Sequence, residues 1–288
     1  MKLCLDGISK SYKKKFVLQD FTYTFENGVY GLLGKNGAGK TTLMKIIAGV
    51  HKADQGTIMI DGKVVLNNQL DYINMVGYIP QETALYSNFT VYEMLDYVSC
   101  IKGIHRDDDV LKQLVSMVNL EDKLYTKCNS LSGGMKRRLG IAMSLVNNPK
   151  ILIMDEPTTG VDIMERIHFR NIISTLSKDR IIIYSTHTVN DIGMIAKEFI
   201  FLDKGNNILS GTGSTLLNQI KGNVYEMDVN YEEYEKIVSN VGMDVIANIY
   251  PIQKGYQLRI VSDKIDNAQA YVVEPSYEDL SIYVLSQS

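Results

Sequence analysis

The run Gly34-Lys35-Asn36-Gly37-Ala38-Gly39-Lys40-Thr41 constrains this chain more than any other feature, because it demands a particular neighbourhood. It fits G-x-x-x-x-G-K-[ST], which has to follow a strand and open a helix. Residues 29–33 are a short apolar run, and residues 40–48 carry helical spacing through Leu43, Ile46 and Ile47, so both flanks are present. Glycines let the backbone wrap closely enough for its N–H groups to face phosphate oxygens. The helix N-terminus adds partial positive charge at the same spot. Lys40 is expected to reach the β- and γ-phosphates of a nucleotide, and the Thr41 hydroxyl to ligate Mg²⁺. From residue frequencies, a chance match in a chain of this length is roughly a one-in-a-hundred event. The loop is read as a nucleotide site.

The rest of the 288 residues is organised around that loop. There is room for one large domain, or for one large and one small. The first third reads as strands and turns, with residues 16–25 alternating loosely before Asn27-Gly28. Residues 91–146 are mostly helical in pattern, and Val110, Leu111, Leu114, Val115 and Val118 share one face. From Lys150 the β/α alternation returns, with buried strands expected at 151–154 and 181–184. Helices are expected at 163–177 and 189–196, then a hairpin at 199–210 turning on Lys204-Gly205-Asn206-Asn207. After Lys221 the texture changes. Tyr225, Met227 and Val229 alternate with polar residues, 231–241 is helical in spacing, and a last helix follows Pro275. Residues 1–221 are therefore expected to be one domain and 222–288 a small accessory α/β unit.

Charge and apolar content narrow the function classes. A net charge of −3 speaks against a nucleic-acid binder held by a general basic field. Cys4, Cys100 and Cys128 make no paired ligand spacing and read as thiols in a reducing compartment. Apolar runs such as Ile181-Ile182-Ile183-Tyr184 fall far short of the roughly 18 residues that span a bilayer. Asp6 interrupts the start of the chain before a signal-peptide core forms. The expectation is a cytosolic protein whose membrane work, if any, is done through another chain.

Two further motifs carry chemistry. Ile151-Leu152-Ile153-Met154-Asp155-Glu156 delivers two carboxylates at the end of an apolar strand, and buried charges are costly unless paired or metal-bound. Alone, this pair could be an ordinary strand end. Behind a phosphate loop, Asp155 is placed to hold Mg²⁺ and Glu156 to polarise an attacking water. Leu131-Ser132-Gly133-Gly134-Met135 opens another helix and is a second phosphate-binding device. One nucleotide site rarely needs two such devices far apart in sequence, which suggests that one serves a neighbouring molecule's ATP.

Phosphate loop, Leu-Ser-Gly-Gly and Asp-Glu, in that order, closely resemble the ATP-binding cassette (ABC) ATPases over about residues 1–220. The resemblance implies an α/β fold: a P-loop NTPase core with an antiparallel β subdomain and a helical subdomain, to which this chain adds its C-terminal extension. It also implies roles for positions that would otherwise be unremarkable. Tyr12 resembles the aromatic that stacks on adenine, and Thr42 joins residues 34–41 as a nucleotide contact. Gln81 is similar to the glutamine that touches Mg²⁺ and the attacking water and senses the permease. Thr158-Thr159-Gly160-Val161-Asp162 matches the loop that crosses between subunits, and His187 the histidine at the γ-phosphate.

Two positions depart from the pattern. Met135 replaces a common Gln, which resembles bacterial exporters whose permease is a separate chain, and Ile163 stands where a proline often begins the helix. Glu274-Pro275-Ser276-Tyr277-Glu278-Asp279-Leu280 also resembles the C-terminal extension of those exporters. The implied mechanism is two cassettes, a pair of copies or a paralogous partner, sandwiching two ATPs. Lys40 and Thr41 of one chain would face Ser132, Gly133 and Gly134 of the other. The implied location is the inner face of the cell membrane, held there by the permease. Weighed against this are a soluble ABC protein on ribosomes or DNA, which lacks support from charge or from a second cassette, and an ATP-dependent regulatory switch, against which Glu156 and His187 argue.

Overall fold

Five strands bury both faces of a central sheet, as parallel strands covered on each side must. In a computed structural model describing residues 1–13, 15–66, 68–104, 107–265, 267 and 269–286, this sheet has six strands. Their order is Asn206–Gly211, Ala196–Asp203, Gly28–Leu33, Ile181–Ser185, Ile151–Asp155 and Val76–Ile79. All neighbours are parallel except the first pair, a hairpin. Every residue of Ile151–Asp155 and Ile181–Ser185 is buried. Alternation sends Leu152, Met154, Ile182 and Tyr184 to one core cluster, and Ile151, Ile153, Ile181 and Ile183 to the other. Register aligns Leu32 with Ser185, Asp155 with Ser185, and Ile79 with Met154. Four loops therefore leave the same edge: the phosphate loop, Glu156, Gln81 and His187. Ligands of open α/β sheets bind along that edge.

One cluster is capped by the helix Lys40–Ile47 and by an antiparallel sheet ordered Lys15–Phe25, Leu3–Tyr12, Gln55–Ile60, Lys63–Val65. The other is covered by Val91–Ile101, Asp108–Met117, Gly133–Leu145 and Ile163–Leu176. Each of these helices starts on a side-chain cap: Thr90 in a capping box with Glu93, then Asp107, Ser132 and Asp162. The expected face of the second helix is present, since Leu111, Leu114, Val115 and Val118 are buried, while Val110 is exposed.

Four strands between Val224 and Val272 add a second antiparallel sheet, ordered Ile246–Ile252, Gly255–Val261, Val224–Val229, Tyr271–Val272. Met227, Val229, Leu258 and Ile260 make its own small core beneath the helix Tyr231–Val241. The last helix, Tyr277–Ser286, does not join that core. Its Leu280 and Val284 belong to the large cluster of the central sheet.

Two local expectations change. The helix expected over 189–196 is a single 3-10 turn, Val189–Asp191, and a strand already begins at Ala196. Val189 and Ile192 are buried, and Ala196 pairs with Val29, so the sheet claims the residues whose spacing looked helical. The hairpin turn is only Lys204-Gly205, both at positive φ, and Asn206 already pairs with Asp203. No helix among the described residues is long and apolar enough to cross a membrane.

Candidate functional site

The buried strand Gly28–Leu33 ends on Gly34, whose φ is +151° and where a Cβ would collide with the Leu202 carbonyl. Lys35, Asn36 and Gly37 stand exposed, and Ala38 N–H donates to Lys35 O at 3.1 Å. Gly39, at φ +107°, closes the loop as N-cap of Lys40–Ile47, and a Cβ there would lie 2.6 Å from Val17 O. Folding in this way turns the Lys40 side chain back under its own loop. Its ammonium donates to Gly34 O at 2.7 Å and to Lys35 O at 3.2 Å and is 6% exposed. Burial pushes that ammonium below the ordinary lysine value, while Glu156 and then Asp155 pull it back up. A cavity of about 340 Å³ opens on the loop, walled by residues 36–42, Val17, Gln81 and Glu156.

Asp155 lies behind Glu156, 3% exposed, and accepts from Ser185 Oγ on Oδ1 at 2.8 Å. The same hydroxyl accepts the Glu156 N–H at 2.9 Å, so one side chain holds both acids. Glu156 has φ +45°, a left-handed backbone that a non-glycine residue adopts only when its surroundings hold it there. Its Oε2 accepts from Thr159 Oγ1 at 3.3 Å and lies 4.0 Å from His187 Nδ1. The His187 side chain is 59% exposed at the mouth of the site.

Ser132 caps the helix Gly133–Leu145 by accepting the Met135 N–H at 3.2 Å. Gly133 faces open space, whereas a Cβ on Gly134 would lie 2.6 Å from Glu165 Cδ. Gly133 lines a separate hollow of about 290 Å³ with Gln81, Thr159, Gly160 and Val161. From the same helix, Arg137 donates to the Gln81 carbonyl and so fixes the loop that carries Gln81. Arg138 donates to Glu165 at 3.1 Å and Asn119 O at 2.7 Å. Met135 packs its side chain against the large core. Asp162 accepts the Glu165 N–H at 2.9 Å, which starts the next helix without a proline. Tyr12 is 42% exposed at a strand end, beside His51 at 6.3 Å between ring centroids.

The structure thus gathers Asn36, Gly37, Ala38, Gly39, Lys40, Thr41, Thr42, Gln81 and Glu156 around one cavity. Gly34 and Lys35 bond Lys40 from behind it, with Asp155 beneath Glu156 and His187 beside it. Tyr12, Ser132, Gly133, Gly134 and Asp162 do not line that cavity. Sequence reasoning missed Val17, Ser185 and Arg137. Only Ser185 had a signal, as the polar residue ending an apolar strand beside the one that ends in Asp155.

Thr41, Gln81 and Asp155 offer oxygen ligands only, a donor set that suits a small hard cation. No group of three His, Cys, Asp or Glu among the described residues makes a metal site by itself. Such an ion fits here only with phosphate and water oxygens completing its shell.

A sequence model of the family described as ABC transporter matches residues 18–159. The linearmycin resistance ATP-binding protein LnrL of Bacillus subtilis is 31% identical over 221 residues, covering 75% of this chain and 71% of that protein. The Nod factor export ATP-binding protein I of Burkholderia thailandensis is 35% identical over 214 residues, 73% and 70% of the two chains. The solved ATP-binding subunit of an ABC transporter superposes with a TM-score of 0.67 at 26% identity, over 76% of this chain and 93% of that one. A dimeric cassette in a post-hydrolysis state with ADP and Pi shares the fold, with a TM-score of 0.66 at 22% identity over 73% and 98%.

Proposed function

The chain belongs to the ABC transporter family as an ATP-binding, ATP-hydrolysing subunit, and from that premise we propose that it powers export through a separate membrane permease. One observation carries the reading of the site: the Lys40 ammonium, held by the carbonyls of its own loop, shares a cavity with Glu156. A cation for phosphate oxygens and a carboxylate to accept from and orient the attacking water are what phosphoryl transfer to water requires.

Lys40 and the N–H groups of residues 35–41 bind the β- and γ-phosphates, with Thr42 following on the helix, and Tyr12 stacks on adenine. Thr41, Gln81 and Asp155 would hold Mg²⁺, which would supply charge neutralisation at the phosphate oxygens. Glu156 orients a water toward the γ-phosphorus, and His187, 4.0 Å from Glu156, contacts the γ-phosphate. Water adds at phosphorus as the bond to the ADP oxygen breaks, giving ADP and inorganic phosphate.

Ser132, Gly133 and Gly134 stand off the cavity, and Gly133 faces open space. This supports the proposal that they cap the ATP of a second copy, with the loop ending in Asp162 crossing between copies. Residues 1–221 form the cassette and 222–288 an accessory unit, working at the cytoplasmic face of the membrane. Export follows the relatives, one of which is named for Nod factor export.

Nucleotide binding tests the site. Lys40→Ala is expected to weaken ATP affinity at least about tenfold, since a buried charge-assisted contact to phosphate is lost. Unchanged affinity by equilibrium titration would remove Lys40 from the cradle.

A further inference from the structure

The turn that follows His187 carries a carboxylate with partners in three different parts of the site. Asp191 has a side chain only 8% exposed. Its Oδ2 accepts from Thr158 Oγ1 at 2.7 Å and from Thr186 Oγ1 at 3.3 Å, and its Oδ1 from Arg166 Nη1 at 3.2 Å. Thr158 lies just beyond Glu156, and its hydroxyl is also 2.8 Å from the buried Tyr184 hydroxyl. Thr186 directly precedes His187 and accepts the Thr188 N–H at 3.0 Å. Arg166 belongs to the helix capped by Asp162, and its Nε donates to Val161 O at 3.3 Å. One carboxylate therefore ties the Glu156 loop, the His187 loop and the start of that helix to each other.

The opposite side of the same turn is filled from the C-terminus. Tyr277 wedges its ring between two glycines and packs against Phe199 in a tilted pair, with centroids 5.3 Å apart and ring planes at 52°. A Cβ on Gly193 would lie 2.8 Å from the Tyr277 ring, and one on Gly213 would collide with its hydroxyl. There is no slack at that contact, so a displacement of the helix has to be passed to residues 189–193. The helix is fastened in turn to the accessory sheet. Arg259 donates to both oxygens of the fully buried Asp279 at 2.9 and 2.7 Å, and to Glu226 at 2.7 Å. A continuous packed path thus runs from the accessory sheet through Tyr277 to Asp191.

We infer that Asp191 is a positioning residue for ATP hydrolysis and that Tyr277 sets its place, so that the C-terminal unit governs turnover through the turn at 189–193. The inference rests on the roles given above to Glu156 and His187. Asp191 acts through Thr158 and Thr186 rather than by touching nucleotide or water. The Tyr277 ring fills the side facing Gly193, whereas its hydroxyl faces Gly213, away from the turn.

The test uses the full-length chain with Tyr277→Ala, Tyr277→Phe, Asp191→Asn and the double variant Tyr277→Ala/Asp191→Asn. Folding is checked by circular dichroism, ATP binding by titration, and kcat and KM by phosphate release. Tyr277→Ala and Asp191→Asn are each expected to lower kcat about tenfold, with KM and ATP affinity within twofold. Tyr277→Phe should keep wild-type turnover, and the double variant should be no slower than Asp191→Asn alone, because both act along one path. Asp191→Asn alters no apolar core, so it keeps the test open if Tyr277→Ala does not fold. Wild-type kcat in a folded Tyr277→Ala or in Asp191→Asn would overturn the inference and leave the ATPase reading intact. Multiplying effects in the double variant would overturn the shared path. A wild-type chain that neither binds nor hydrolyses ATP would overturn both readings.

Discussion

Glu156 sits where a strand ends and its backbone turns left-handed, at φ +45°, a conformation worth about 1–3 kcal/mol of strain for a non-glycine residue. Its peptide N–H would be orphaned there without Ser185, whose hydroxyl also donates to Asp155. Ser185→Ala is expected to cost about 1–3 kcal/mol of stability, because a buried donor and a buried carboxylate both lose a partner. It should also lower kcat more than it changes KM; thermal melts and steady-state kinetics check the two effects. Retention of both would mean that Ser185 does not hold the pair. At this scale the sequence singled out Asp155 and Glu156, because they end an unmistakable apolar run. It did not show what keeps them in place. Ser185, Arg137 and Val17 meet the site only because a parallel strand, a helix and a strand of the antiparallel sheet bring them there.

Among the elements, those with strong periodicity and caps were legible: Ile163–Leu176 and Tyr231–Val241 begin within a residue of their expected starts. The stretch 189–196 was not, because Val189 and Ile192 have helical spacing but are buried by the sheet and by the last helix. The packing of the helix Tyr277–Ser286 onto the central core was equally invisible, since an apolar stripe does not say which of two cores it joins.

That helix is pinned by Arg259 and Asp279, whose side chains are 15% and 0% exposed. Burial disfavours the Asp279 charge, yet hydrogen bonds from Arg259 and Ser276 hold its carboxyl below the ordinary value. Arg259→Met removes one partner of a buried pair and is expected to destabilise the C-terminal unit by about 3–5 kcal/mol. A lowered folded-state value gives stability that is full above the unfolded value of about 3.9 and is lost as pH falls through the folded one. The difference in melting temperature between variant and wild type should therefore be largest near neutral pH and shrink on acidification. A difference that is independent of pH would show that lost packing, not lost charge pairing, is responsible.

Taken whole, the molecule has its loop, its acids and its histidine at one edge of the central sheet, while Gly133 opens toward a different hollow. Under the proposed function such a cassette is half of a nucleotide sandwich, and closure on ATP would be the step that does work on another chain. No helix among the described residues is long and apolar enough to cross a membrane, and the proposed function assigns the membrane step to a separate permease. The most direct test traps the closed state. Tagged, full-length Glu156→Gln is purified from native membranes with ATP present, and the proteins it carries are identified by mass spectrometry. The expected result is a chain that binds ATP, barely turns it over, and recovers a membrane protein with many spanning segments in near-equal amount. Recovery of ribosomal or DNA-repair proteins with no membrane chain would contradict the transport claim.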